Sequence, residues 1–198
     1  MKKYEFTGEV KRIKLIGTEV VLRRIRAVTA FGVVKAGDIG GWIEKEENLS
    51  HDGSAWVHGS AWVYGDARVY GNARVYGNAK VYGDAWVYGN ARVYGDARVY
   101  GNAEVYGNAK VCGNAEVYSV NHIFSIGPIG SRNEYTTFYR NKNEKIEVRC
   151  GCFNGIIEEF LEKVAETHGE NKHASVYRAA AEIAKLQIEP LSTDEEAE

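Results

Sequence analysis

The feature that most constrains this chain is a phrase of six residues repeated without interruption. Glycine recurs at every sixth position from Gly53 to Gly113, giving eleven hexads of the form Gly–(Asn/Asp/Ser)–Ala–x–Val–(Tyr/His/Cys). Within each hexad, Ala and Val are two residues apart, so an extended backbone points both to one side and x to the other. The next residues, such as Tyr64-Gly65-Asp66, suit a corner: glycine tolerates positive φ, and Asn or Asp can bond its own backbone. Strands this short cannot form a hairpin meander. They suit a triangular coil in which three hexads close one turn and successive turns stack in parallel register.

That geometry makes specific expectations. Stacking by 18 residues places Val57, Val75, Val93 and Val111 on one inner face. Val63, Val81, Val99 and Val117 fall on the second, and Val69, Val87 and Val105 on the third. Outside, Trp56, Arg74, Arg92 and Lys110 form one column, Trp62, Lys80, Arg98 and Glu116 another, and Arg68, Trp86 and Glu104 the third. Tyrosines stack along the corners, which stabilises neighbouring coils. Eleven hexads make about 3.7 coils, roughly 17 Å tall at the ordinary inter-strand spacing.

The predicted fold class is mainly β. It has an N-terminal β cap over residues 1–41, a solenoid over 42–118, a C-terminal β-hairpin plus two-helix module over 119–189, and an acidic, disordered tail over 190–198. A cap is required because an open coil end exposes unpaired backbone and an apolar interior. The stretches "YEFTGEVKRIKLIG", "EVVLRRIRAVTAF" and "GVVKAGDIGGWI" read as its strands. In the C-terminal third, Thr136–Tyr139 and Lys145–Cys152 read as hairpin strands. A helix capped by Asn154 and stopped by Gly169 should bury Ile157, Phe160, Leu161 and Val164. A second should bury Tyr177, Ala180, Ala181 and Ala184.

The stretches "LRRIRAVTAF", "VKAGDIGGWI" and "NLSHDGSAWV" resemble the start of uncharacterised bacterial and prophage hexapeptide-repeat proteins, usually labelled transferases. The resemblance covers roughly residues 20–118 and implies a left-handed parallel β-helix, which commonly associates as a homo-oligomer, a dimer or a trimer. The segments "GPIGSRNEYTTFY" and "CGCFNG" are similar to a C-terminal module on hexapeptide-repeat proteins of prophages and mobile elements. That context implies one version of function, an inhibitor or ligand scavenger acting against a host system. The transferase label rests on fold, and fold does not imply function.

Composition narrows the classes. Net charge is −2, which argues for neither nucleic acid nor membrane. No apolar run is long enough to span a bilayer, and "MKKYEFTGEV" does not read as a secretory signal. Three cysteines, Cys112, Cys150 and Cys152, fit a reducing cytoplasm, the expected location.

Candidate chemistry is sparse. An acyltransferase of this repeat class would use a histidine near a coil edge as general base, and His58 or His122 are the alternatives. No loop interrupts residues 53–118 to wall an acyl-donor tunnel. Cys150-Gly151-Cys152 would need two further ligands for a tetrahedral zinc site, which His168, His173 or Cys112 could supply, but no paired C-x-x-C exists, and neither metal nor cofactor is expected. The strip Trp56, Arg74, Arg92 and Lys110 could meet an anionic polymer, or could keep a flat face soluble. The turn Gly127–Asn133 joins glycine-rich backbone to a hydroxyl and a guanidinium, which suits an anion. Ser131, Arg132, Asn133, Thr136, Tyr139 and Arg140 are therefore the candidate ligand-binding residues. The expected function is a non-enzymatic scaffold that self-associates through its coils and binds a host protein or an anionic small molecule with its C-terminal module.

Overall fold

In the computed structural model, which describes residues 2–15 and 17–188, every repeat glycine turns its corner with φ between 59° and 73°. Between corners, Ala and Val point inward, and each of these side chains is at most 1% exposed. Eleven two-residue strands, from Trp56–Val57 to Glu116–Val117, build a three-sided β-solenoid. Strands pair in parallel with the strand 18 residues on, as in Trp62↔Lys80 and Lys80↔Arg98. The backbone ladder is regular: Trp56 N–H donates to Ala73 O at 2.9 Å, and His58 N–H to Val75 O at 3.0 Å. The predicted valine ladders and outer columns all hold their register.

The corners carry their own ladders. Tyr64, Tyr82 and Tyr100 stack at 4.9–5.0 Å with rings 2° from parallel, and Tyr118 continues the row at 5.5 Å. Tyr70, Tyr88 and Tyr106 form a second stack, and His58, Tyr76 and Tyr94 a third. Ser54, Asn72, Asn90 and Asn108 are linked by side-chain hydrogen bonds down one edge. Such ladders satisfy polar groups that short strands leave at their ends.

The N-terminal cap extends one face of the solenoid. Strands β1 (Tyr4–Leu15) and β2 (Thr18–Ala27) form an antiparallel hairpin, and β3 (Ile39–Ile43) pairs antiparallel with β2 and parallel with Trp62–Val63. β3 thus bridges cap and first coil and runs across residue 41, where a boundary was expected. Of the expected strand 32–43, only 39–43 is extended. The positive φ of Gly32 (53°) and Gly37 (89°) bends the preceding segment into turns. Tyr4 plugs the upper end, its hydroxyl donating to Leu49 O at 2.8 Å.

The C-terminal module closes the other end. Strands β4 (Ile123–Ile129), β5 (Glu134–Arg140), β6 (Ile146–Cys150) and β7 (Phe153–Ile156) form an antiparallel sheet in that order. The expected hairpin is its centre. Lys110 N–H donates to Thr137 Oγ1 at 3.1 Å, Lys142 N–H to Asn114 O at 3.1 Å, and Tyr139 joins the solenoid core. Helices α1 (Ile157–His168) and α2 (Lys172–Gln187) pack beside the sheet through Phe138, Val148, Phe160, Val164, Tyr177 and Ala181. Asn154 does not cap α1. Residues 153–156 pair with β6, so α1 starts at Ile157, and the Glu159 carboxylate accepts from Ile156 N–H. The expected acidic tail lies outside the described residues.

Candidate functional site

The turn Gly130–Asn133 joins β4 to β5 and faces the helix pair. Gly130 must be glycine: its φ is 71°, and a Cβ there would overlap the ring and hydroxyl of Tyr177. Beside this turn lies an open groove of about 280 Å³. Ser131 and Arg132 form one wall, and Cys150, Cys152 and Phe153 another. α1 contributes Phe160, Lys163, Val164, Thr167 and His168, and α2 contributes Tyr177. The floor is aromatic: Phe160 meets Tyr177 edge-on at 5.6 Å and Phe138 edge-on at 5.9 Å.

The rim is cationic and polar. The Arg132 guanidinium is exposed and lies 3.8 Å from the Cys152 sulfur, with no ion pair among the described residues. Lys163 is exposed and pairs with Glu166 at 2.8 Å. Burial raises the Tyr177 phenol above its ordinary value, with the neighbouring Cys150 thiol adding to the shift. It is therefore a neutral hydrogen-bonding group at neutral pH. An apolar floor with one free guanidinium and several hydroxyls suits a ligand with a flat apolar part and an anionic end.

The six predicted ligand-binding residues do not form one site. Ser131 and Arg132 line the groove. Asn133 is exposed on the same turn, in left-handed backbone with φ 53°. Thr136, Tyr139 and Arg140 are buried, because alternation along β5 sends each into packing on one side or the other. Thr136 donates to the Cys150 sulfur at 3.3 Å, Tyr139 enters the solenoid base, and Arg140 lies over Tyr118 beside His122. Sequence reasoning missed Lys163, Thr167, His168 and Tyr177. The spacing of Lys163 to Thr167 and Val164 to His168 puts them on one flank of α1, but their approach to the turn depends on tertiary packing.

Burial lowers the pKa of both histidines singled out from the sequence, His58 and His122. His58 is half-buried and stacks on Tyr76 at 5.0 Å; burial lowers its pKa, and Arg74 lowers it further. His122 is 4% exposed, and burial, then Arg140, pushes its pKa down to about 4. Its Nε2 lies 3.4 Å from Arg140 Nη1, so the lone pair a base would use already accepts a hydrogen bond. His51 borders a concavity of about 480 Å³ beside Trp86 and was not singled out from the sequence. Its Nδ1 accepts from Lys3 N–H at 3.3 Å, which puts the proton on Nε2, 3.9 Å from Glu46. That tautomer presents a donor, not a base.

The predicted basic strip is shorter than its column. Trp56 is 4% exposed, because Phe31 and Tyr4 pack against its ring. Lys110 is drawn toward the C-terminal sheet by the backbone bond to Thr137. Arg92 is exposed and Arg74 half-buried. Among the described residues no three His, Cys, Asp or Glu side chains converge as metal ligands, and no helix is long and apolar enough to cross a membrane.

These features define a hexad-repeat β-solenoid capped at both ends. Comparison with known proteins agrees for the coils. The repeat family described as YdcK Beta solenoid repeat matches residues 61–75, 73–89, 85–101 and 91–107. "Uncharacterized acetyltransferase YdcK" of Escherichia coli (strain K12) is 37% identical over 62 residues, 29% of this chain and 19% of that protein. The chain therefore spans about a fifth of that relative's length. The resemblance to hexapeptide-repeat proteins carrying a transferase label is borne out on these residues.

Proposed function

We propose that this protein is a non-enzymatic scaffold whose solenoid self-associates and whose C-terminal groove recognises a partner bearing an anionic group on an apolar body. The observation that carries the reading is the contrast between the two regions. In the coils, x positions are separated by corners with no inserted loop, and His58 lies on a tyrosine stack. Beside the sheet, Arg132, Ser131 and Lys163 surround an aromatic floor. Binding needs only such convergent groups, whereas acyl transfer also needs a wall that excludes water around its base.

The resemblance of the C-terminal third to prophage modules supports a narrower version, in which the partner is a host protein. Affinity capture with the full chain tests recognition. A partner retained by wild type and His58→Ala but lost in Arg132→Ala is the expected result. Loss in His58→Ala with retention in Arg132→Ala contradicts it.

The second reading is an acyltransferase, favoured by the printed name of the Escherichia coli relative. It places a base at His58 or His122. Saturable heat on adding acetyl-coenzyme A, abolished in His58→Ala or His122→Ala, supports that reading over the first.

A further inference from the structure

The three solenoid faces differ in what they show to solvent. On the first, Trp56 is buried and the rungs below it, half-buried Arg74 and exposed Arg92, are both cationic. On the second, charges are satisfied within the chain: Lys80 lies over Trp62 at 4.4 Å, and Arg98 reaches Glu116 at 3.8 Å. The third face is a three-rung column, Arg68, Trp86, Glu104, paired in that order. Arg68 is exposed and Trp86 is 40% exposed. Glu104 is half-buried and its Oε2 accepts from the Tyr88 hydroxyl at 2.9 Å, and the Arg68 guanidinium lies over the Trp86 ring at 6.0 Å, but neither charge has an ion-pair partner among the described residues. A cation, an indole and an anion at equal spacing form a pattern that is its own complement when turned through 180° about the indole.

We propose that the Arg68–Trp86–Glu104 face is an isologous interface through which two copies of this chain associate antiparallel, about a two-fold axis at Trp86. Such an axis sets Arg68 of each copy against Glu104 of the other and stacks indole on indole. The ends of the face match by the same operation. Above Arg68 is the concavity of about 480 Å³ that reaches Leu49, and below Glu104 is a second of about 400 Å³. The lower rim carries Tyr106, 57% exposed, and Val120, 45% exposed. The rotation carries these apolar groups toward the upper concavity of the other copy.

Charge complementarity commits the face to a second copy. A polyanion would meet Glu104 and Asp84 on the same face, and the first face would repel its own image. The contact strip, from the Leu49 rung to the Val120 turn, is about four coil spacings, roughly 19 Å, long. That puts the interface at the small end of the specific range, with reversible, concentration-dependent association. The inference deepens the self-associating part of the proposed function and rests on it.

Sedimentation velocity of the full chain over a concentration series tests the proposal. Wild type should show a monomer–dimer equilibrium. Arg68→Glu and Glu104→Arg should each raise the dimer Kd about tenfold, since each places two like-charge pairs across the axis. The double exchange, Arg68→Glu with Glu104→Arg, should bring Kd back to within about threefold of wild type, by restoring opposite charges. Trp86→Arg should raise it on the order of a hundredfold, as expected for a central aromatic. Other hexads carry Arg at the same slot, and an unchanged thermal melt of dilute protein verifies that each variant folds. An oligomer insensitive to all four changes, or a double exchange that fails to restore association, overturns this face while leaving a self-associating scaffold. A wild type monomeric throughout overturns both, and the capture experiment with Arg132→Ala still reports recognition separately.

Discussion

The Tyr139 hydroxyl lies 3.3 Å from the Cys112 sulfur, joining the C-terminal sheet to the last complete coil of the solenoid. It also donates to Asn154 Oδ1 at 3.2 Å. Tyr139 is fully buried, and burial raises its phenol far above the ordinary value, with the Cys112 thiol adding to the rise. The group that seals the solenoid base is therefore a neutral phenol. Tyr139→Phe should cost about 1–2 kcal/mol, the loss of buried hydrogen bonds without loss of packing. Tyr139→Ala should cost about 3–5 kcal/mol through the cavity it opens. Denaturant unfolding followed by circular dichroism measures both.

Asn48 fastens the opposite end. Its Oδ1 accepts from Glu44 and Lys45 N–H at 3.2 and 3.0 Å, and its Nδ2 donates to Gly65 and Ala67 carbonyls at 3.0 and 2.9 Å. Asn48 has no exposed surface. Asn48→Ala should destabilise by at least about 3 kcal/mol, because four backbone groups lose their partner together. Asn48→Asp should be comparably damaging, since it keeps the acceptor but turns the donors into a carboxylate facing carbonyls. Chemical denaturation compares the two.

The coil corners can be graded against each other. Gly89 has φ 70°, and a Cβ there would lie 2.9 Å from Gly107 N. Gly107 has φ 64°, but a Cβ there meets nothing within 4 Å. Both alanine substitutions incur the left-handed strain of about 1–2 kcal/mol. Only Gly89→Ala adds a backbone clash, so it should lower the melting temperature more than Gly107→Ala. Equal shifts contradict the close stacking of adjacent corners.

Stability should fall in mild acid. The His122 pKa is lowered in the folded protein to about 4, first by burial and then by Arg140. The unfolded chain therefore binds the proton more readily, so stability rises with pH. The contribution is complete above about pH 6.5, the unfolded value, and is lost progressively as pH falls toward 4. His51 and His58 are shifted in the same direction by burial, so His122→Asn should flatten the pH dependence of the melting temperature without removing it. A profile identical to wild type contradicts the buried neutral imidazole.

The solenoid was legible because its physics is local and repeated. Each hexad states its own corner, its inward pair and its outward residue, so Val57 to Val117 and the tyrosine stacks could be placed from spacing alone. The C-terminal module offers no repetition. Asn154 carries a good capping side chain, yet the pairing of Phe153–Ile156 with β6 overrides it. The groove was half legible. Ser131 and Arg132 are contiguous, but Lys163, His168 and Tyr177 reach them only through helix packing. Thr136, Tyr139 and Arg140 were misplaced because β5 is covered on both faces, which sequence alternation cannot reveal when both neighbours are distant in the chain.

The central claim is that recognition resides in the Arg132 groove and not on the coils. Isothermal titration of phenyl phosphate, an aromatic ring with an anionic end, tests it most directly, with acetyl-coenzyme A as the comparison. The account predicts saturable heat with phenyl phosphate that persists in His58→Ala and disappears in Arg132→Ala. No heat with phenyl phosphate, together with saturable acetyl-coenzyme A binding that His58→Ala abolishes, would contradict it.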